Sequence, residues 1–151
     1  MQKELLGLEV EKEFPVQVQE LSNAWTNPEK LKQWWKPSGH QLTDVNIDLR
    51  EGGKFNYVFQ GTNAETALVI SGEYQEVNEN RKLVYSWNWE IPNTEAISNN
   101  EFMLTVEFIP AKDHSKLRVV QHNFKDNESI HPHKKGWEIA LDDLYQFLSE
   151  A

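Results

Sequence analysis

One change in the spacing of apolar residues divides this sequence. Between residues 42 and 123, apolar and polar side chains alternate with a period of two, which predicts a series of antiparallel strands. After residue 130 the apolar residues are spaced by three or four, which predicts one long amphipathic helix. Its apolar face carries His133, Trp137, Leu141, Leu144 and Leu148. A single helix is therefore available to cover the apolar face of the whole sheet.

The segment before this series predicts a strand and two short helices. Apolar and charged side chains alternate along residues 6–14, which predicts a strand with one solvent-exposed face, and Pro15 ends this strand. Val18, Leu21 and Trp25 then recur at helical spacing, and Asn27-Pro28 begins a second short helix. The predicted fold class is α+β with a helix-grip arrangement: a curved antiparallel sheet of six to seven strands on a C-terminal helix running from near residue 131 to about 149. We expect residues 1–151 to form a single domain.

Charge and cysteine content exclude several classes of function. Fifteen basic residues against 24 acidic ones give a net charge of -9, which repels a phosphate backbone and an anionic bilayer. We therefore expect neither nucleic acid nor membrane as a partner. The chain has no cysteine, which rules out thiolate nucleophiles and cysteine-ligated metal sites. Residues 1–14 contain no long apolar run, so we expect no signal peptide or transmembrane segment and a cytoplasmic location.

The aromatic content is the feature that bears most on function. The chain has 6 Trp, 4 Tyr and 7 Phe, and most fall on the strand and helix faces that the topology turns inward. Large rings leave gaps more readily than aliphatic side chains, so this interior is predicted to border a ligand cavity. A plain aromatic core is the alternative interpretation. The candidate ligand-binding residues are Trp35, Phe55, Tyr57, Phe59, Tyr85, Trp87, Trp89, Phe102, Leu104, Gln121, His133, Trp137 and Leu141.

Two candidates on these inward faces are polar. Gln121 lies on the same face of its predicted strand as the apolar residues Leu117 and Val119. It is therefore predicted to give the pocket one hydrogen-bonding group. His133 is interpreted either as a group at the mouth of the cavity or as a hydrogen-bonded core histidine.

Other motifs have structural interpretations. His131 and His133 are separated by Pro132 and have no partner motif, so no metal site and no cofactor are predicted. Asp48 and Arg50 are two residues apart and are expected to pair on the solvent face of a strand rather than act in acid–base catalysis. No catalytic residue is predicted.

Two glycine positions also carry predictions. Gly52-Gly53 is expected to supply positive φ for a hairpin. Gly136 lies inside the C-terminal helix, where glycine is unfavourable, and therefore predicts a close approach of the backbone to a neighbour.

Several short motifs follow one another in a recognisable order between residues 8 and 148. They are Trp34-Trp35-Pro37, Asp48-Arg50-Gly52-Gly53, Leu83 to Trp87, Phe124, and His133-Gly136-Trp137. Their order and spacing resemble the START-like (SRPBCC) superfamily. Within it the chain looks like the group named for the activator of the ninety-kilodalton heat-shock chaperone's ATPase. The resemblance implies a helix-grip fold around a hydrophobic cavity.

The resemblance implies three different functions. The first is non-catalytic binding of a small apolar or aromatic molecule between the last helix and the sheet, without a cofactor. The second is a chaperone-assisting interaction module that works through its outer surface. The third is a cyclase-type enzyme acting on polyketide-like substrates, for which the sequence shows no convergent carboxylates. A fold alone does not choose among these functions.

Overall fold

The computed structural model describes residues 6–35, 41–61, 66–90, 99–124 and 130–149. These residues form the predicted succession of a strand, two short helices, a series of strands and a long helix. In chain order the elements are β1 (Leu6–Phe14), α1 (Val18–Thr26), α2 (Pro28–Trp34), β2 (Gln41–Ile47), β3 (Lys54–Gln60), β4 (Thr66–Asn78), β5 (Lys82–Glu90), β6 (Asn99–Pro110), β7 (Ser115–Phe124) and α3 (Ile130–Ser149).

The described strands form one antiparallel sheet in the order β1-β7-β6-β5-β4-β3-β2. The first strand therefore lies at one edge, beside the last strand, and β2 lies at the other edge. Register shifts interrupt the pairing of several strands, including β2 with β3 at Leu42/Asp44 and β4 with β5 at Tyr74/Glu76. Such irregularities bend strands and increase their twist. The sheet is curved, and the predicted helix-grip class is confirmed.

Helix α3 packs on the concave face of this sheet. Its predicted apolar residues Trp137, Leu141, Leu144 and Leu148 are each at most 6% exposed, and Ala140 joins them. The helix contacts β1 and α2. None of the described helices is long and apolar enough to cross a membrane.

Helices α1 and α2 close the space beside α3. The predicted start of α2 is confirmed: the Asn27 side chain accepts a hydrogen bond from the Glu29 backbone N–H at 3.0 Å, and Pro28 occupies the first turn. Helix α1 buries Leu21 and Trp25. The two helices therefore bring aromatic side chains to the same interior that α3 covers.

Two of the structural interpretations need correction. Asp48 and Arg50 do pair, with Arg50 Nε donating to Asp48 Oδ2 at 2.8 Å, but β2 ends at Ile47, so the pair lies in the turn after it. The prediction for Gly136 is wrong: a Cβ added there would meet no atom within 4 Å, and the residue is exposed. The prediction for Gly52 is confirmed by its φ of 82°.

A close backbone approach occurs instead at Gly72 in β4. A Cβ there would collide with the backbone oxygen of Ser86 and would lie 2.7 Å from the ring of Phe55. Glycine is therefore required at this point of the sheet, where the Ser86 hydroxyl accepts a hydrogen bond from the Glu73 backbone N–H at 2.8 Å.

The two glycines give a matched pair of alanine substitutions with opposite effects. Gly136→Ala should stabilise the protein by about 0.5–1 kcal/mol, because the helical site is open and alanine loses less backbone entropy. Gly72→Ala should destabilise it by more than ~1 kcal/mol, because the added methyl group meets backbone atoms. Urea unfolding of the three proteins measures both effects. Destabilisation by Gly136→Ala would contradict the open environment of that residue.

Candidate functional site

The interior between α3, the two short helices and the sheet is built from aromatic rings. We call these residues the ring cluster, and all of them are at most 6% exposed. The members are Trp25, Trp34, Trp35, Phe55, Tyr57, Phe59, Tyr74, Tyr85, Trp87 and Trp137. The rings come from all three helices and from β3, β4 and β5. The ring cluster therefore joins all three helices to three neighbouring strands of the sheet.

Indole rings stack through the centre of the cluster. Trp35 lies parallel to Trp34 and to Trp87, with centroid distances of 5.7 and 5.9 Å and interplanar angles of 8° and 10°. Trp137 of α3 is tilted by 39° against Trp87 at 5.5 Å and stacks on Trp25 at 5.9 Å with an interplanar angle of 19°. Offset stacking of this kind is favourable beyond the burial of area. A flat aromatic molecule would meet the same type of surface here.

Hydrogen bonds orient three of the indoles. Trp25 Nε1 donates to the Tyr85 hydroxyl at 3.1 Å, and Trp34 Nε1 donates to the Ala24 backbone oxygen at 2.8 Å. Trp137 Nε1 donates to Gln121 Oε1 at 2.8 Å. Buried indole N–H groups need such partners, so the bonds fix the rotation of each ring as well as satisfying its donor.

The tyrosines of the cluster are held in the neutral form. Burial raises the pKa of Tyr57, Tyr74 and Tyr85, and their mutual proximity adds to the effect for Tyr57 and Tyr85. Ionised phenolates are therefore excluded near neutral pH. These hydroxyls can exchange hydrogen bonds with a bound molecule, but they do not act as bases.

Gln121 and His133 are polar groups on the α3 side of the cluster. Gln121 is 0% exposed, which confirms the predicted burial of its side chain. His133 is half-buried, and its ring lies 5.2 Å from that of Phe102. Desolvation lowers the pKa of His133, so its imidazole is neutral at pH 7. Both groups therefore add hydrogen-bonding capacity without adding charge.

The predicted site residues come together on the concave face of the grip. All thirteen except His133 and Trp89 are buried there, and the side chain of Trp89 lies outside the described part of the structure. Whether they bind a ligand stays a prediction. The candidate ligand-binding residues did not include Trp25, Trp34 and Tyr74, which the structure places in the cluster. Tyr74 follows Ile70 at strand parity and Trp25 follows Leu21 at helical spacing, so the patterns that found the other residues could have found these two.

The grooves lined wholly by described residues open to the surface rather than between α3 and Trp87. One of about 590 Å³ lies on the convex face, and its lining residues include Asn56, Ser71 and Phe55. Another, of about 370 Å³, lies between β1 and α3, where Lys12 pairs with Asp142 at 3.0 Å. Each includes one candidate ligand-binding residue, Phe55 in the first and Leu141 in the second, but neither is lined by the indoles of the ring cluster. No group of three or more metal-ligating side chains occurs among the described residues.

Trp137 should be the side chain of α3 that contributes most to stability. Trp137→Ala removes a stacked ring and leaves the buried Oε1 of Gln121 without its donor, so we expect a loss of about 3–5 kcal/mol. Ile139→Ala is the control on the same helix: Ile139 is 51% exposed, so its loss should stay within about 0.5 kcal/mol. Chemical denaturation measures both. Equal losses for the two variants would show that Trp137 is not an anchor.

The lowered pKa of His133 predicts a specific pH dependence of stability. An unfolded histidine titrates near pH 6.5, whereas folded His133 titrates at lower pH because its charged form is desolvated. Between these two values the unfolded chain binds more protons, so wild-type stability should fall as the pH falls. His133→Gln should remove this loss.

His114 should make stability depend on pH in the opposite direction. Hydrogen bonds to Asp113 and Glu13 raise the pKa of His114. Protonated His114 therefore stabilises the folded protein fully below about pH 6.5, and this stabilisation is lost as the pH rises through the raised pKa. Unfolding free energies of wild type, His133→Gln and His114→Gln from pH 5 to 8 separate the two effects. Parallel curves for wild type and His133→Gln would contradict the desolvation of His133.

Solved structures share this architecture over almost the whole chain. The AHSA1 protein from Silicibacter pomeroyi has a TM-score of 0.80 and 22% identity, covering 95% of this chain and 98% of its own. A protein from Nitrosomonas europaea has a TM-score of 0.76 and 22% identity, covering 96% and 95%. CalU16 from Micromonospora echinospora has a TM-score of 0.69 and 22% identity, covering 96% and 77%. Identities this low establish similarity of fold.

Sequence comparison identifies the family. No curated protein sequence gives a significant match. The model of the family described as "Activator of Hsp90 ATPase homolog 1-like protein" matches residues 15–149, which include α1, α2, the strands from β2 to β7 and α3. The match includes every member of the ring cluster. Together with the fold, it shows that this chain belongs to the AHSA1 family, with a START-like helix-grip domain.

Proposed function

We propose that this chain binds a small hydrophobic or aromatic molecule between α3 and the sheet, and that it does so without catalysis. The observation that carries the proposal is the stacked pair of Trp35 and Trp87 with Trp137 tilted against both, an aromatic environment next to a buried polar group, Gln121. Ligand sites of this type combine apolar walls with a few polar groups that fix orientation.

The ligand binds at the end of the ring cluster where α3 meets β6. His133 is half-buried there, while the members of the cluster are at most 6% exposed, so this end lies nearest to the surface. The ring of Phe102 on β6 contacts that of His133, with centroids 5.2 Å apart. A flat ligand entering at this point would stack against Trp87 or Trp137 after the side chains that bury them move aside.

The chemistry of the site favours binding over catalysis. The buried polar residues of the described part are Ser22, Ser115 and Gln121, and Ser115 already donates to the Val16 backbone oxygen at 2.8 Å. None of these three groups is an acid or a base, and the half-buried imidazole of His133 is the group of this end that can accept a proton. The cyclase-type hypothesis would need acid–base groups facing the ligand, and it stays a prediction.

Assistance to a chaperone is the second candidate function. The family description names an activator of the Hsp90 ATPase, and that name is the observation that favours it. Here the outer surface would do the work, since the ring cluster is enclosed. Adding the chain to purified Hsp90 and measuring the rate of ATP hydrolysis tests this function directly, and no change in the rate would remove it.

A matched pair of substitutions on β6 tests the ligand site. Phe102 and Phe108 are both 2% exposed on the concave face, but only Phe102 lies at the His133 end. Phe102→Trp adds bulk where the ligand is placed, so it should weaken binding by roughly tenfold or more, whereas Phe108→Trp should leave affinity within about twofold. Calorimetric titration with a neutral naphthalene derivative, selected as the best binder in a thermal-shift screen of aromatic compounds, gives both constants.

Two outcomes would contradict the proposal. In the first, no compound of a broad apolar and aromatic library raises the melting temperature of the wild type. A ligand at about 100 times its dissociation constant should stabilise the protein by ~2.7 kcal/mol, which is several degrees for a domain of this size. In the second, Phe108→Trp weakens binding as much as Phe102→Trp does, which would place the ligand elsewhere.

A further inference from the structure

Gln121 is a polar residue in an otherwise apolar part of the concave face. On β7 it follows the fully buried Leu117 and Val119, and it is itself 0% exposed. Its partners across the neighbouring strands are Leu104 on β6 and Leu8 on β1, both buried. A primary amide in such surroundings needs hydrogen bonds for both its oxygen and its nitrogen.

Only one end of this amide is satisfied. The indole N–H of Trp137 donates to Oε1 at 2.8 Å, and because an indole nitrogen is only a donor, this contact identifies the oxygen end. The Nε2 atom is buried and has no hydrogen-bond partner among the described residues. The indole therefore fixes the amide with its two N–H donors directed away from Trp137.

The unpartnered Nε2 atom of Gln121 lies next to the proposed ligand site. His133 precedes Trp137 by one helical turn on α3 and contacts Phe102. Phe102 and Leu104 lie on the same face of β6, and Leu104 is opposite Gln121. The amide therefore lies beside the end of the ring cluster at which the aromatic ligand is placed.

We propose that Gln121 is a specificity-determining residue that selects aromatic ligands carrying a neutral hydrogen-bond acceptor, such as an aryl ketone or quinone carbonyl. This inference rests on the proposed function and names the ligand class for the same site. A carbonyl oxygen takes the N–H donors that the protein leaves unused. A carboxylate fits less well, because no buried cationic side chain occurs among the described residues and His133 is neutral.

Two probes of nearly equal shape test this selection. One is 2-acetylnaphthalene, and the other is 2-isopropenylnaphthalene, in which a methylene group replaces the carbonyl oxygen. The measured quantity is the ratio of their dissociation constants for each protein, so that differences in hydrophobicity between the probes cancel when variants are compared. Calorimetric titration gives the ratios.

The variants remove the donor in two ways. Gln121→Met keeps the length of the side chain, and Gln121→Leu keeps an apolar branched shape, so a folding failure in one leaves the other to test the proposal. Leu8→Met is the matched control, because it changes packing directly opposite Gln121 on β1 and leaves the amide in place. Near-ultraviolet circular dichroism confirms that each protein is folded.

The expected result is a change in the ratio for the Gln121 variants alone. Losing the amide should reduce the preference for the ketone by roughly tenfold, while Leu8→Met should leave the ratio within about twofold of the wild type. The carbonyl stretching band of bound 2-acetylnaphthalene should lie at lower frequency in the wild type than in Gln121→Met, since a hydrogen bond weakens the C=O bond.

The other outcomes separate the two proposals. If both probes bind but neither the ratio nor the carbonyl band depends on Gln121, the selection by this residue is wrong while the ligand site stands. If neither the ketone nor the hydrocarbon binds to the wild type, and the wider aromatic screen is also negative, the proposed function fails and this inference fails with it.

Discussion

The packing of Trp137 between the helices and the sheet is the interaction on which the rest of the structure depends. Its ring lies 5.9 Å from Trp25 of α1, 6.0 Å from Trp35 next to α2 and 5.5 Å from Trp87 of β5. One side chain of α3 therefore contacts rings carried by both of the other helical segments and by the centre of the sheet. Because a single helix covers the concave face, large rings have to span distances that a second helix would otherwise fill.

The order of the elements could be predicted because each one carries its own spacing of apolar residues. The alternation of Phe55, Tyr57 and Phe59 and the helical spacing after residue 130 are local patterns, and local patterns identify single strands and helices. Gly72 shows the limit of this reasoning. In the sequence, Gly72 between Ile70 and Tyr74 looks like an ordinary strand residue. Only glycine fits at this position because a Cβ would meet the backbone of Ser86 on the neighbouring strand. The prediction for Gly136 is wrong for the converse reason, since this glycine is exposed and has no packing role.

The candidate site was predictable in its membership but not in its geometry. Parity and helical spacing located most of the buried rings, and they also located Gln121 among them. They gave no information on which rings stack or on which end of the amide is satisfied. Those features depend on register between strands that are distant in the chain, such as the pairing of Leu104 with Gln121, and on the rotation of α3 against the sheet.

The near-parallel stacking of indoles has an optical consequence. Trp34, Trp35 and Trp87 lie in contact with interplanar angles of 8° and 10°, close enough for their electronic transitions to couple. The rings should then absorb as a group and give exciton-split bands in circular dichroism, and excitation energy should migrate among them before emission. The intrinsic fluorescence of this protein is therefore a collective property of the grip. Spectral changes at any one indole report the integrity of contacts among all three helices and the sheet.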